Sequence, residues 1–140
     1  MIGYVCGFLF DLEASQVALI QKSKPEWQAG KWNGIGGKLE AHGETWNQAM
    51  TREFCEETGV YIDPLEWVHT VTLYNDEFEC RFFRAFSDEI LEVKTIELEP
   101  VSIWDLERLV DCPVIDNLKW LIPLQLEKNV VFPIVLEASV

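Results

Sequence analysis

The chain has 140 residues, 49% of them hydrophobic, with 24 acidic and 11 basic side chains and a formal net charge of −13. That length fits one domain spanning residues 1–140, and the apolar content excludes a disordered chain. The charge excludes a nucleic acid polymer as partner, since phosphate backbones are held by clustered Lys and Arg and no such cluster occurs; a small anion would need a bridging cation.

Residues 2–10 (IGYVCGFLF) form an apolar run that predicts a buried strand. A polar connection (DLEASQ) leads to a second short strand at residues 17–21. The stretch KSKPEWQAGKWNGIGGKLE has no helical period and many Gly, Lys and Trp residues. It predicts a long loop that ends in a short extended segment, and loops of this length in a compact domain usually carry function. A helix follows, with Thr45 and Gln48 in capping-box spacing and Gly59 as its stop. Residues 67–74 and 78–86 predict a hairpin turning at Asn75 and Asp76. A short strand at 101–104 precedes a helical turn (DLERL). Asp116 or Asn117 would cap a second helix (LKWLIPLQLEK), in which Pro123 forces a kink or an early end. The tail VVFPIVLE reads as extended. The order β, β, loop, α, β, β, β, α predicts a single α/β domain with a mixed sheet.

No apolar stretch reaches the roughly 18 residues of a membrane span. Met1 leads directly into the first strand without a basic leader. Cys6, Cys55, Cys80 and Cys112 form no C-x-x-C pair and read as buried free thiols. The expectation is a cytoplasmic protein without membrane contact.

The segment REFCEETG, residues 52–59, crowds Glu53, Glu56 and Glu57 onto one helix, where like charges repel. At about 100° per residue, the three glutamates fall on the same side as Trp46, Ala49 and Met50. Asn47, Gln48, Thr51, Arg52 and Cys55 fall opposite. The glutamates therefore continue the core-facing stripe near the negative end of the helix dipole, and they require a counter-cation. Hard carboxylate oxygens without His or Cys alongside indicate Mg²⁺ or Mn²⁺ rather than Zn²⁺.

Gly37, Glu44, Arg52, Glu53, Phe54, Glu56, Glu57, Gly59 and Val60 together resemble the Nudix box, G-x5-E-x7-R-E-U-x-E-E-x-G-U, where U is a bulky apolar residue. The first gap is one residue too long, and the extra residue falls in E40-A41-H42-G43-E44. A turn absorbs such an insertion at small cost, so it bears on Glu40 and Glu44 and not on the glutamate triplet. The resemblance implies a Nudix-like α/β/α sandwich with a mixed β-sheet between helices. It implies a Mg²⁺-dependent pyrophosphohydrolase, Mn²⁺ being an alternative ion. Glu53, Glu56, Glu57 and the Gly37 carbonyl would be metal ligands, and Glu53 would also orient or deprotonate the attacking water. Arg52 would brace the box, with a surface ion pair as the plainer alternative. Glu97 or Glu99 would add a further acid, Glu99 having the better placed position.

The stretch G-K-W-N-G-I-G-G-K, residues 30–38, further resembles the MutT-like oxidised-purine nucleoside triphosphatases. By that resemblance Asn33 would contact the purine, as the matching Asn does in the mammalian enzyme of the group. An Asn amide offers both donor and acceptor to a base edge, although it equally caps its own turn. The segment 115–123 resembles the base-pocket segment of that enzyme. It offers Asp116 and Asn117 in place of two adjacent acids, and Asp116 serves equally well as a helix cap. Trp32 and Trp120 are the tryptophans expected at a ligand, and Lys38, ahead of Lys24 and Lys31, is expected at phosphate oxygens. His42 and His69 receive no role. The implied substrate is a small-molecule nucleotide: a (deoxy)nucleoside triphosphate, oxidised purines included, cleaved to monophosphate and pyrophosphate. Two alternatives stay open. One is hydrolysis of another nucleoside-diphosphate derivative, such as a nucleotide sugar, ADP-ribose or a dinucleoside polyphosphate. The other is a non-catalytic nucleotide sensor.

Overall fold

A computed structural model describes residues 1–40 and 43–139. Its eight strands are β1 (Ile2–Phe10), β2 (Gln16–Gln21), β3 (Trp32–Asn33), β4 (Ile35–Lys38), β5 (Val68–Tyr74), β6 (Phe78–Phe86), β7 (Val101–Asp105) and β8 (Ile134–Glu137). Two helices, α1 (Trp46–Thr58) and α2 (Leu118–Gln125), accompany them. The strands form one sheet in the order β3-β2-β1-β6-β5-β8, with β4 also pairing β1 and β7 pairing β2. The β1–β6 and β5–β8 pairs are parallel. The other pairs are antiparallel, so the sheet is mixed, as the sequence predicts.

The apolar run of β1 is explained by burial on both faces. Val5 and Leu9 enter one core with Ala49, Met50 and Phe54 of α1. Cys6, Phe8 and Phe10 enter the opposite core with Leu118, Leu121 and Ile122 of α2. Successive strand side chains point to opposite faces, so this alternation places one helix on each side of the sheet. The result is the α/β/α sandwich.

Helix α1 starts and stops where its sequence signals stand. Thr45 Oγ1 accepts from Gln48 N–H at 3.1 Å, and Gln48 Oε1 accepts from Thr45 N–H at 2.9 Å. Gly59 adopts φ +79°, and its N–H bonds the Cys55 carbonyl at 2.8 Å. The wheel reading needs correction. The buried residues are Ala49, Met50, Thr51, Phe54 and Thr58, so the core stripe centres near Phe54, about a quarter turn from the glutamates. Thr51 is buried because its hydroxyl donates to the Ile62 carbonyl at 2.6 Å.

The hairpin turns at Asn75, whose Oδ1 accepts from Glu77 N–H and Phe78 N–H. Helix α2 ends at Gln125, two residues after Pro123, which settles the Pro question as an early end. Asn117 occupies its N-cap position, and no side-chain capping bond is made there. The tail reaches the sheet edge as β8, a partner for β5 that the linear pattern does not show. Cys6 and Cys112 are buried, but Cys55 and Cys80 are only half-buried, against the expectation of four buried thiols; all four are free. Among the described residues no helix is long and apolar enough to cross a membrane.

Candidate active site

The glycine run of β4 lies against β1, with Cys6 opposite Gly36 and Val5 opposite Gly37. A Cβ on Gly36 would strike the Val5 carbonyl, and one on Gly37 would strike the Glu53 carboxylate. Gly36 therefore requires glycine for close approach to backbone, while a side chain at Gly37 would displace the Glu53 carboxylate. The second position brings the Gly37 backbone and the Glu53 carboxylate together, as the sequence predicts.

Arg52 gathers the acids of the turn and the helix. Its Nε and Nη2 meet both oxygens of Glu44, at 2.6 and 3.2 Å. Nη1 reaches Glu53 at 2.9 Å, Glu56 at 3.4 Å and Glu40 at 3.5 Å. Nη2 also donates to the Lys38 carbonyl at 3.1 Å. A planar guanidinium suits this forked bracing, which distinguishes Arg52 from a solvated ion pair. Its hydrogen bond pulls Glu44 below the usual carboxylate range. Glu40 and Glu44 thus both meet Arg52 despite the inserted residue; Ala41 and His42 of that turn lie outside the described residues.

The glutamate triplet divides by burial. Glu53 is 13% exposed, and burial raises its pKa, opposed by Arg52 and aided by Glu56 and Glu40. Glu57 is half-buried and pushed up to about 7, first by burial and then by the charge of Glu97, with Lys22 opposing. Glu56 is half exposed and turned to Arg52. Among the described residues no three His, Cys, Asp or Glu side chains converge closely enough to hold an ion. The chemistry of the donor set nevertheless suits a hard divalent cation. The five carboxylates of Glu44, Glu53, Glu56, Glu57 and Glu99 outnumber the two cations, Arg52 and Lys22, that they share, and Glu53 faces a backbone stripped of side chains at Gly37. Glu99 is already engaged: it accepts from Ser23 N–H and Oγ–H and pairs with Lys22 Nζ at 3.3 Å. Of the two later acids, Glu97 is exposed, and its charge acts on Glu57 more strongly than that of Glu99.

A cleft of about 800 Å³ opens beside Gly37. Lys22, Lys24 and Lys38 line it, in a chain with few cations. Asn33, Asn117, Gln28 and Trp27 line it as well. Its floor includes Cys6 and Cys80, and burial pushes the Cys6 thiol up to about 12, so the floor is uncharged. Asn117 Oδ1 is buried without a hydrogen-bond partner among the described residues. Such an acceptor is costly to leave unpaired.

Three candidates stand elsewhere. Trp32 is absent from the cleft lining and packs edge-on against Trp104, with ring centroids 5.4 Å apart. Its backbone instead clips the segment before α2: Trp32 N–H bonds the Pro113 carbonyl at 2.8 Å, and Ile115 N–H bonds the Trp32 carbonyl at 3.1 Å. That clip delivers Asn117 to the cleft. Asp116, with its side chain 91% exposed, turns away to Lys119. Trp120 does not line the cleft either. The tryptophan that does is Trp27, 65% exposed on a 3-10 turn at Glu26–Gln28. Its place in a ligand-facing loop was the available signal.

Comparison with known proteins agrees with this geometry. A NUDIX domain family description matches residues 4–128. The chain is 31% identical over 116 residues to a zebrafish (Danio rerio) protein named oxidized purine nucleoside triphosphate hydrolase, covering 79% of this chain and 72% of that one. Among solved structures it is similar to MutT from the fish pathogen Aliivibrio salmonicida and from Vibrio cholerae. The TM-score is 0.73 at 24% identity, over 87% of this chain and 94% of that one. It is also similar to the NUDIX domain of Shewanella oneidensis NrtR, solved with ADP ribose, with TM-score 0.70 at 20% identity over 89% and 86%.

Proposed function

Because the chain belongs to the Nudix family and is a Nudix hydrolase, we propose that it cleaves a purine (deoxy)nucleoside triphosphate, oxidised purines included, to the monophosphate and pyrophosphate with Mg²⁺ as cofactor. One observation carries this reading. A single cleft joins three lysines and the Gly37–Glu53 contact to a set of neutral amides with an unpaired acceptor. Charged oxygens suit the first part, and a base edge suits the second. The name of the zebrafish relative supports the same substrate class.

Glu53, Glu56, Glu57 and the Gly37 carbonyl would hold the divalent ion, with Mn²⁺ as a substitute and Glu97 as a further acid. A bound ion of this kind supplies charge neutralisation on phosphate oxygens and makes water a better nucleophile. Glu53 is desolvated and raised in pKa, so it is suited to orient a water and take its proton. Arg52 fixes the Glu53 carboxylate through Nη1 and ties it to the β4 backbone at Lys38. Lys22, Lys24 and Lys38 would bind phosphate oxygens, while Asn33 and Asn117 would address the base; all five line the cleft.

The test is a panel of canonical and 8-oxo dNTPs, ADP-ribose and dinucleoside polyphosphates, with and without Mg²⁺, products resolved by chromatography. The expected result is Mg²⁺-dependent pyrophosphate release from a purine dNTP. Turnover of ADP-ribose or a dinucleoside polyphosphate alone would overturn the triphosphate assignment, and binding without turnover would favour a sensor.

A further inference from the structure

Asn33 and Gln28 are joined amide to amide. Asn33 Nδ2 donates to Gln28 Oε1 at 3.1 Å, while Asn33 Oδ1 accepts from its neighbour Gly34 N–H at 2.7 Å. The Cys6 thiol also points at Oδ1, at 3.9 Å. The carbonyl of Asn33 is therefore occupied by the protein, and its remaining capacity is an N–H. Both residues line the cleft. Asn33 sits on β3, but Gln28 belongs to the preceding 3-10 turn, so the bond spans two separate pieces of backbone.

Resting on the purine triphosphatase reading above, we propose that Gln28 is a specificity-determining positioning residue. By accepting from Asn33, it holds that amide in the orientation that offers a donor to the base. A purine with an oxo group on its six-membered ring presents an acceptor there, whereas one with an amino group presents a donor. Gln28 therefore selects 6-oxopurines over 6-aminopurines. Without Gln28 the Asn33 amide is held at its carbonyl alone, by Gly34 N–H and the Cys6 thiol, and its nitrogen end turns more readily. The selection acts on base binding and leaves the Gly37–Glu53 contact untouched.

The test compares KM and kcat for dGTP, dITP and dATP in the wild type, Gln28→Leu and Gln28→Glu. The wild type is expected to favour dGTP and dITP over dATP. Gln28→Leu, similar in bulk but without an acceptor, is expected to lower that preference about tenfold, the scale of one specific hydrogen bond, through KM with kcat little changed. Gln28→Glu keeps an acceptor for Asn33 Nδ2 and is expected to retain most of the preference. A wild-type preference for dATP, an unchanged ratio in Gln28→Leu, or a loss in Gln28→Glu equal to that in Gln28→Leu would each overturn the role of Gln28. If the folded wild type hydrolyses no purine triphosphate at all, the reading beneath it falls as well.

Discussion

Glu53 allows the sharpest experiment on a single residue. Glu53→Gln preserves size and an acceptor for Arg52 but removes the base, so kcat is expected to fall about a hundredfold to ten-thousandfold. Its unfolding midpoint should stay near that of the wild type; a folded variant with near-normal kcat would remove Glu53 from its role. Arg52→Lys tests the fork itself. Lysine keeps the charge but cannot meet Glu44 with two nitrogens while holding Glu53 and the Lys38 carbonyl. Turnover should drop by about tenfold or more, with a lower melting temperature, the loss of about one to three kcal/mol expected for charge-assisted bonds. These residues are legible in the sequence through their match to the Nudix box; the helical wheel sets Arg52 opposite the glutamates that its long side chain reaches. The tryptophans are not. Trp32 is covered by Trp104, a contact between distant strands, while Trp27 has no such cover. Asp116 and Asn117 differ by one position, and the clip at Trp32 decides which of them enters the cleft.

Helix α1 shows how far local chemistry determines an element. Its reciprocal cap and its left-handed stop are both written in short-range sequence, and both form. Thr45→Ala removes the side-chain acceptor for Gln48 N–H and should cost about 1 kcal/mol. Urea unfolding should show a lower midpoint with an unchanged slope. The orientation of the same helix is less legible. Thr51 reads as polar, yet its hydroxyl finds the Ile62 carbonyl and turns inward, which shifts the core stripe toward Phe54. Strand β3 and the pairing of β8, though not its extended form, escape the sequence for a related reason. A two-residue strand has no period to read, and β8 is defined by the parallel partner it finds at the sheet edge.

Across the whole molecule, the site is held at the expense of stability. Glu57 titrates near 7 in the fold, well above an exposed glutamate, chiefly because it is buried and faces Glu97. Between the ordinary carboxylate range and about pH 7, the folded state retains a proton that the unfolded chain releases, so stability declines as pH rises through that window. Without divalent ions, Glu57→Gln should therefore melt higher than the wild type at pH 8 and close to it at pH 5. Mg²⁺ should raise the wild-type midpoint at pH 8 and raise that of Glu57→Gln less, by linkage. Scanning calorimetry in EDTA and in Mg²⁺ separates these outcomes; equal metal effects on both proteins would dissociate Glu57 from the ion.

The parallel pairing of β1 with β6 also has a temporal consequence. Ile2 lies beside Phe78 and Phe10 beside Phe86, so β1 finds its principal neighbour only after the long segment between them has been made. Such distant pairings are slow to form, because a long intervening loop must close before they contribute. On the ribosome, the leading strand must wait, apolar on both faces, for its partner to emerge. On its other edge β1 aligns Cys6 with Gly36 and Val5 with Gly37 through β4, yet the cleft is complete only once the later segment that carries Asn117 has been clipped to Trp32.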